Sequence, residues 1–278
     1  MPRYRLTVEY DGTPYMGWQR QPHGPSVQGA IERAITAYCG EIVTIYAAGR
    51  TDTGVHSSGQ VIHFDLQRQA SGPEVRDALN HFLKEETVAI VSAEETLPYF
   101  HARFSAIGRS YLYRIVNRRA PLVLDRLASW WLPRALNVEA MAEGAKHLLG
   151  GHDFTSFRAT ECQSKSPFKS LNRLDITRRG DQVLIEVQAR SFLHHQVRNI
   201  VGTLKLVGDG KWTPADVKRI LEARDRRAAG PTAPARGLTL TGVDYPEVIP
   251  PMPETAYRPA PGEAFQPRRD EARDEAQD

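Results

Sequence analysis

The sequence predicts an α+β fold in which antiparallel sheets are covered by helices. Strand-like segments, with apolar residues at every second position, are interspersed with helix-like segments whose apolar residues lie three or four apart. Residues 4–93 follow the order strand, helix, strand, strand, helix, strand, and a related series begins near residue 109. This order is typical of a ferredoxin-like unit, a sheet with two helices on one face. We therefore predict two ferredoxin-like sub-domains, residues 1–105 and residues 106–245.

The first series opens with a strand that has one apolar face. Alternate residues from Tyr4 to Tyr10 are apolar, which is the period of a half-buried strand. Ser26 is a favourable helix N-cap, and Gly40 suits the left-handed conformation that ends a helix. The other predicted elements of this series are strands at 42–48, 60–66 and 87–93 and a helix from Pro73 to Phe82.

The second series has similar elements with little similarity in sequence. Alternation predicts a strand at 109–117, and Asn137 is the predicted N-cap of a helix that ends near Leu149. A turn at Gly180 then joins two predicted strands. The strands beside this turn are 171–178 and 181–190, and later elements are helices at 192–207 and 214–224 and a strand at 237–244.

Residues 246–278 differ from the rest of the chain in composition. These 33 residues include seven prolines, eight acidic residues and four arginines. Such a segment buries too little apolar surface to offset the entropy lost on ordering, so we predict a disordered, proline-rich acidic tail.

Composition limits the class of protein. With 278 residues and 41% hydrophobic content, the chain suits one large domain or two small ones. Its two cysteines, Cys39 and Cys162, are too few for a disulfide framework or a four-cysteine zinc site. The chain starts without the apolar segment of a secretory signal, and no run reaches the roughly 20 apolar residues of a membrane span. We therefore expect a cytoplasmic protein with no membrane partner.

The basic residues are mostly arginine. Lysine and arginine together number 36 against 33 acidic residues, and seven are lysines. Arginine pairs with phosphates and stacks on bases, so this composition permits a nucleic-acid partner. Codon bias would raise the arginine content in the same way, so composition alone does not decide between these explanations.

Residues 48–56 form the most unusual local segment. It places Asp52 and Arg50 between Gly49 and Gly54, directly after a predicted strand. Glycines permit tight turns and close approach of a ligand, and functional side chains often lie on loops that a sheet holds in place. The alternative is structural: Asp52 would then cap a turn and Arg50 would be a surface residue.

The histidines do not have the spacing of a helical zinc site. His56 and His63 are seven residues apart, whereas His194 and His195 are adjacent. A helical zinc site shows two histidines four residues apart together with a glutamate. We therefore expect no metal site.

Six short motifs occur in order between residues 4 and 245. They are EYDG through GWQRQ (9–21), GRTDTGVH (49–56), FHARFSA (100–106), RSYLYR (109–114), FTSFR (154–158) and HHQVRNIVG (194–202). The set resembles the tRNA pseudouridine synthase A family, in which the aspartate of the second motif is catalytic. Thr53 departs from the family, where alanine often fills that position.

The resemblance implies roles for individual residues. Asp52 corresponds to the nucleophile and Tyr111 to a tyrosine that stacks on the target base. Arg198 corresponds to an arginine that pairs with the catalytic carboxylate, and Arg50 to a basic residue near the flipped nucleotide. Candidate RNA-binding residues in the other motifs are Arg20, Arg103 and Arg158. Without the resemblance, the strand pattern makes Tyr111 a core residue, and the helical pattern makes Arg198 an arginine that reaches to water.

The resemblance also implies an activity and partners. Family members convert uridine to pseudouridine in the anticodon stem and loop of tRNA, at positions 38, 39 and 40, without a cofactor. They are homodimers in which two ferredoxin-like sheets merge around the active site, with the helices on the outside. Two points of attack remain open for the carboxylate, ribose C1′ and uracil C6.

Three alternative functions remain open at this point. A non-catalytic RNA-binding module would share exposed aromatic residues on its sheets. A metal-dependent hydrolase built on the histidines would lose activity with a chelator. A pseudouridine synthase that acts on a different RNA would have the same motifs, because substrate choice depends on the shape of the cleft.

Overall fold

The computed structural model describes residues 1–162, 164 and 166–251, and residues 252–278 of the predicted tail lie outside them. Within the described residues, ten strands form one sheet. They are β1 (Arg3–Tyr10), β2 (Tyr46–Ala47), β3 (His56–Asp65), β4 (Val88–Thr96), β5 (Gly108–Asn117), β6 (Trp130–Leu132), β7 (Gly150–Asp153), β8 (Phe168–Arg179), β9 (Gln182–Ala189) and β10 (Leu238–Asp244). The order across the sheet is β4-β1-β3-β10-β5-β9-β8-β7, while β2 pairs with β3 and β6 with β5.

The two halves of the sheet have the same strand order. In the first half β4, β1, β3 and β2 are neighbours in that order, and in the second half β10, β5, β9 and β8 take the same places. The halves join where β10 runs parallel to β3, with Thr239 opposite His56. This arrangement confirms the predicted α+β fold of two ferredoxin-like sheets merged into one. The boundary between residues 105 and 106 stays a prediction.

Several of the helices begin after a residue whose side chain accepts a hydrogen bond from one of their first backbone N–H groups. The Ser26 hydroxyl accepts a hydrogen bond from Gly29 N–H at 3.2 Å, and the Asn137 side chain accepts one from Ala140 N–H at 2.9 Å. The helices are α1 (Val27–Cys39), α2 (Gly72–Phe82), α3 (Val138–Lys146), α4 (Gln196–Gly208) and α5 (Pro214–Ala223). Among the described residues, no helix is long and apolar enough to span a bilayer.

Two apolar cores separate the helices from the sheet. The first packs α1 and α2 on β1, β3 and β4, with Leu6 and Ile31 fully buried. The second packs α3, α4 and α5 on β5, β8 and β9, with Ile185 and Ile200 fully buried. The helices therefore lie outside the sheet, as predicted.

Four elements differ from the sequence prediction. The predicted strand at 42–48 is wrong for most of its length, because only Tyr46 and Ala47 pair with β3. In this register residues 43 and 42 would lie opposite positions 66 and 67, beyond the end of β3 at Asp65. The short strands β6 and β7 were not predicted, and the predicted helix at 192–207 begins only at Gln196.

A smaller cluster covers the second face of β3. Residues 97–105 turn back over this strand, so that Phe100 and Ala102 pack on Val61. Ile249, in the first part of the predicted tail, also packs against this cluster, so ordered contacts extend beyond residue 245. His63 lies beside the cluster, where its Nδ1 accepts a hydrogen bond from Ala102 N–H at 3.1 Å.

Burial of His63 makes the stability of the fold depend on pH. Desolvation lowers the pKa of His63 to about 2, with smaller contributions from His101 and Arg3. Below about pH 6.5 this histidine binds a proton in the unfolded chain but not in the folded one. The folded state therefore loses stability as the pH falls. Between pH 7 and pH 5 we expect the free energy of unfolding of His63→Gln to fall by about 2 kcal/mol less than that of the wild type, as measured by urea unfolding. His152→Gln is the control, and an unchanged pH dependence in His63→Gln would contradict the prediction.

Candidate active site

The loop between β2 and β3 is fastened to the N-terminal segment. Thr51 is buried, and its hydroxyl lies 2.8 Å from the hydroxyl of Tyr10 on β1. Trp18 N–H donates to Thr51 O at 3.0 Å. Gly17 has φ 92, and a Cβ there would lie 2.8 Å from Thr51 O. Only glycine permits this conformation and this contact, so the glycine of the first motif helps to place Asp52.

The Asp52 carboxylate has three cationic or potentially cationic neighbours. Arg198 Nη1 donates to Oδ2 at 3.0 Å. His195 Nε2 lies 3.3 Å from Oδ2 and His194 Nε2 lies 3.4 Å from Oδ1. The Asp52 side chain is 22% exposed, so the carboxylate is accessible to a substrate while both of its oxygens have partners. A carboxylate can act as a covalent nucleophile, and the hydrogen bond from Arg198 holds its Oδ2 in one direction.

The start of α4 presents these partners. His195 precedes the helix with φ 61, a left-handed conformation that costs a residue other than glycine about 1 kcal/mol or more. The Arg198 side chain is 15% exposed and is also held by a bond from Nε to Ala233 O at 2.8 Å. Its side chain therefore points to Asp52, whereas the helical pattern alone predicted that it would reach to water. Burial holds the pKa of His195 below its usual range, although Asp52 opposes the shift.

Tyr111 packs against the core, as its strand position predicted, and it also lies at the cavity. It packs against the second core, and its ring meets the ring of Phe192 edge-on at 5.2 Å. It also lines the same cavity as Asp52. Burial, and then the neighbouring Tyr10 and Asp52, hold the pKa of Tyr111 well above its usual range. The hydroxyl therefore stays protonated at neutral pH, which suits a stacking surface better than a proton acceptor.

The cavity that contains Asp52 measures about 1250 Å³ and is lined from both halves of the sheet. Among the described residues, its charged lining consists of Arg20, Arg50, Arg103, Arg109, Lys169 and Arg198 with the acidic residues Asp52 and Glu161. This excess of positive charge suits a phosphate-bearing ligand. Three of the four other predicted arginines thus lie at this cavity, although Arg20 also pairs with Glu32 at 2.8 Å. Arg158 is not among the lining residues and donates to Cys162 O at 2.9 Å.

Arg109 is a further residue of the cavity that the sequence did not predict. Its guanidinium is buried and donates to four backbone carbonyls, those of Ala48, Arg103, Ala106 and Arg190, at 2.6–3.4 Å. These carbonyls belong to the segments that lead to Asp52, to Arg103 and to His194. Arg109 therefore joins the three walls of the cavity, and its place at the start of the RSYLYR motif was the available signal.

The two histidines at Asp52 raise the question of a metal ion. Asp52, His194 and His195 offer ligand atoms that lie within 4.8 Å of one another. The sequence prediction that no metal is bound considered only spacing along the chain. A divalent cation here would lie beside the Arg198 guanidinium, whose charge repels it. The absence of a metal stays a prediction.

Comparisons with known proteins agree with the motifs. The tRNA pseudouridine synthase family model matches residues 6–105 and 145–246. The tRNA pseudouridine synthase A of Paramagnetospirillum magneticum is 64% identical over 88% of this chain and 96% of its own length. The corresponding proteins of Sinorhizobium fredii and Rhizobium leguminosarum are 57% and 56% identical, over 88% and 90% of this chain and 100% and 94% of their own lengths.

The matched segments include the Asp52 loop, Arg198 and most of both halves of the sheet. The chain therefore belongs to the tRNA pseudouridine synthase family.

Proposed function

We propose that this protein isomerises uridine to pseudouridine in tRNA, with Asp52 as the nucleophile. The observation that carries the proposal is an accessible carboxylate whose two oxygens contact Arg198 and a histidine pair in a basic cavity. The curated relatives, named tRNA pseudouridine synthase A, support tRNA as the substrate. A non-catalytic RNA-binding module would not require this arrangement around one carboxylate.

The reaction requires only rearrangement of bonds and one proton. The bond from uracil N1 to ribose C1′ breaks, the base turns, and C5 bonds to C1′. The proton on C5 leaves and N1 gains one, so the atoms balance without an oxidant, a reductant or a cofactor. Attack by Asp52 at C1′ or at C6 divides one difficult step into two easier ones.

The surrounding residues bind and orient the nucleotide. Arg198 orients the carboxylate through its hydrogen bond to Oδ2. Tyr111 offers a ring face for a uracil that has left its stack, and such stacking contributes about 1–3 kcal/mol. Arg50 and Arg103 line the cavity, where guanidinium groups would hold phosphates next to the target.

We assign the target to the anticodon stem and loop, at uridines 38, 39 and 40. The cavity is lined by residues of both proposed sub-domains, residues 1–105 and 106–245. Recognition through phosphates and shape would accept neighbouring uridines, since these contacts do not read base edges.

We further propose that the protein is a cytoplasmic homodimer. Val123, Leu124 and Leu127 are 73%, 79% and 46% exposed, an apolar surface that a second copy would cover. The described cysteines, Cys39 and Cys162, are both unpaired, which suits a reducing compartment. Sedimentation of the full chain would then give twice the mass of 31.1 kDa.

Pseudouridine formation in unmodified tRNA tests the proposed function. We expect the purified protein to produce pseudouridine in the anticodon arm, in metal-free buffer containing a chelator. Replacement of uridines 38–40 by cytidine should abolish the product, which separates this target from uridines elsewhere. Product that requires added metal would contradict the cofactor-free mechanism, and product only in another RNA would contradict the substrate.

A further inference from the structure

Phe104 is an exposed aromatic residue at the wall of the catalytic cavity. It is 43% exposed, and both Phe104 and Asp52 line the cavity. Burial of a phenylalanine ring is favourable, so an exposed ring in a cavity is a candidate contact for a ligand. None of the roles assigned above uses this residue.

The ring of Phe104 lies at the exposed end of a cluster of aromatic rings. His101 lies 4.4 Å from Phe104, measured between ring centroids, at an interplanar angle of 39°. His101 is 4.6 Å from His63, and His63 stacks on Tyr46 at 5.0 Å. The inner rings His101 and His63 are almost fully buried. Phe104 is therefore supported by buried rings and is also exposed at the cavity.

The turn that carries Phe104 is held by several hydrogen bonds. His101 Nδ1 accepts hydrogen bonds from Arg103 N–H at 3.1 Å and Phe104 N–H at 3.4 Å, and Ser105 N–H donates to His101 O at 2.9 Å. Arg109 donates to Arg103 O at 2.8 Å and to Ala48 O at 2.9 Å. The same guanidinium thus ties this turn to the segment that leads to Asp52. A surface held in advance loses little entropy when a ligand binds to it.

The size and charge of the cavity indicate which ligand would cover this ring. Its volume of about 1250 Å³ exceeds the roughly 300–1,000 Å³ of pockets that hold one small ligand, so more than the target uridine can enter. The Arg103 guanidinium lies 5.6 Å from the centroid of the Phe104 ring. An aromatic face beside a guanidinium matches a nucleotide, with its base on the ring and its phosphate on the cation.

We propose that Phe104 and Arg103 form a second nucleotide subsite, on which an unpaired base next to the target uridine stacks. This inference rests on the proposed function, since extrusion of the target uridine is what leaves its neighbour without a stacking partner. The subsite holds the strand open at that step. It accepts any base, because every base has a π face.

The chain offers a matched control. Phe82, at the end of α2, is also 43% exposed and also lies against a histidine ring, that of His81 at 5.0 Å, but it does not line the cavity. Replacement of either phenylalanine removes the same exposed ring. Any difference between Phe104→Ala and Phe82→Ala therefore reports the position of the ring.

The test uses the full chain with an anticodon stem-loop that carries 2-aminopurine in turn on each side of the target uridine. We expect wild type to quench one of these probes. We expect Phe104→Ala and Phe104→Leu to bind about 5- to 150-fold more weakly and to lose the quenching, while Phe104→Trp keeps both. Phe82→Ala should match wild type, and the thermal unfolding of all four variants should be unchanged.

Failure of the subsite and failure of the proposed function give different results. Binding and fluorescence need no turnover, so lack of pseudouridine with wild type counts against the function alone. Wild-type affinity and quenching in Phe104→Ala would overturn the subsite. A change in sedimentation mass in Phe104→Leu would also overturn it, because the ring would then belong to a contact between subunits.

Discussion

Asp52→Asn is expected to reduce pseudouridine formation by about 10³-fold or more while the protein still binds RNA. The amide has the size of the carboxylate but is not a nucleophile, and loss of a nucleophile removes most of the rate enhancement of an enzyme. RNA affinity should be unchanged or higher, because the substitution removes one negative charge from a basic cavity. Single-turnover kinetics at saturating enzyme, together with a filter-binding measurement, give the two quantities separately.

Two further variants separate the carboxylate from the loop that carries it. Thr53→Ala changes the exposed neighbour in the same loop and should keep wild-type activity. Asp52→Glu keeps the charge but moves it by about one bond length, and a displacement of about 1 Å costs roughly 10²-fold. Activity of Asp52→Asn above a tenth of wild type would refute the assignment of the nucleophile. Loss of RNA binding in the same variant would show that the loop itself had changed.

The sequence correctly predicted those elements whose structure is determined within a short segment of the chain. The helix starts at Ser26 and Asn137 depend on a side chain that accepts a hydrogen bond from an amide three residues later, which a sequence shows directly. The alternation from Tyr4 to Tyr10 likewise reports a strand with one buried face. Such elements agree with the structure to within a few residues.

The elements that were missed depend on distant parts of the chain. Residues 42–45 have a strand-like composition, yet with Tyr46 opposite His63 the positions that residues 42 and 43 would pair with lie beyond Asp65, where β3 ends. The three-residue strand β6 is too short to show a period, and it forms because it pairs with β5. Neither outcome is encoded in the local segment.

At the candidate site, too, contacts between distant parts of the chain could not be predicted from local sequence. Resemblance to the family identified Asp52, Tyr111 and Arg198, but the residue types alone left each of them with an ordinary structural explanation. Arg198 is 146 residues from Asp52 along the chain and 3.0 Å from it in space. The histidine pair was judged by its spacing along the chain, which does not show that both rings meet a carboxylate from another segment. Only the merged sheet brings these segments together.

The second large effect is expected for Arg198→Met, which should lower the maximal rate by about 10²-fold. The apolar side chain keeps the length of the arginine stem but removes both the charge and the donor to Asp52 Oδ2. Loss of one electrostatic partner at a reacting group costs about 10²- to 10³-fold, and the remaining exposure of Asp52 and its histidine contacts favour the lower value. Arg198→Lys should be intermediate, because one ammonium group cannot reach Asp52 and Ala233 O together.

The control for loss of a positive charge is Arg33→Met, on the exposed side of α1, where Arg33 pairs with Glu86. This variant should keep the wild-type rate. Steady-state kinetics gives two separate quantities, the maximal rate and the RNA concentration at which half of that rate is reached. A partner of the carboxylate changes the maximal rate, whereas a ligand of phosphate changes mainly the RNA concentration. An unchanged maximal rate in Arg198→Met, with weaker RNA binding and wild-type thermal stability, would therefore make Arg198 an RNA contact and leave the histidine pair as the partners of Asp52.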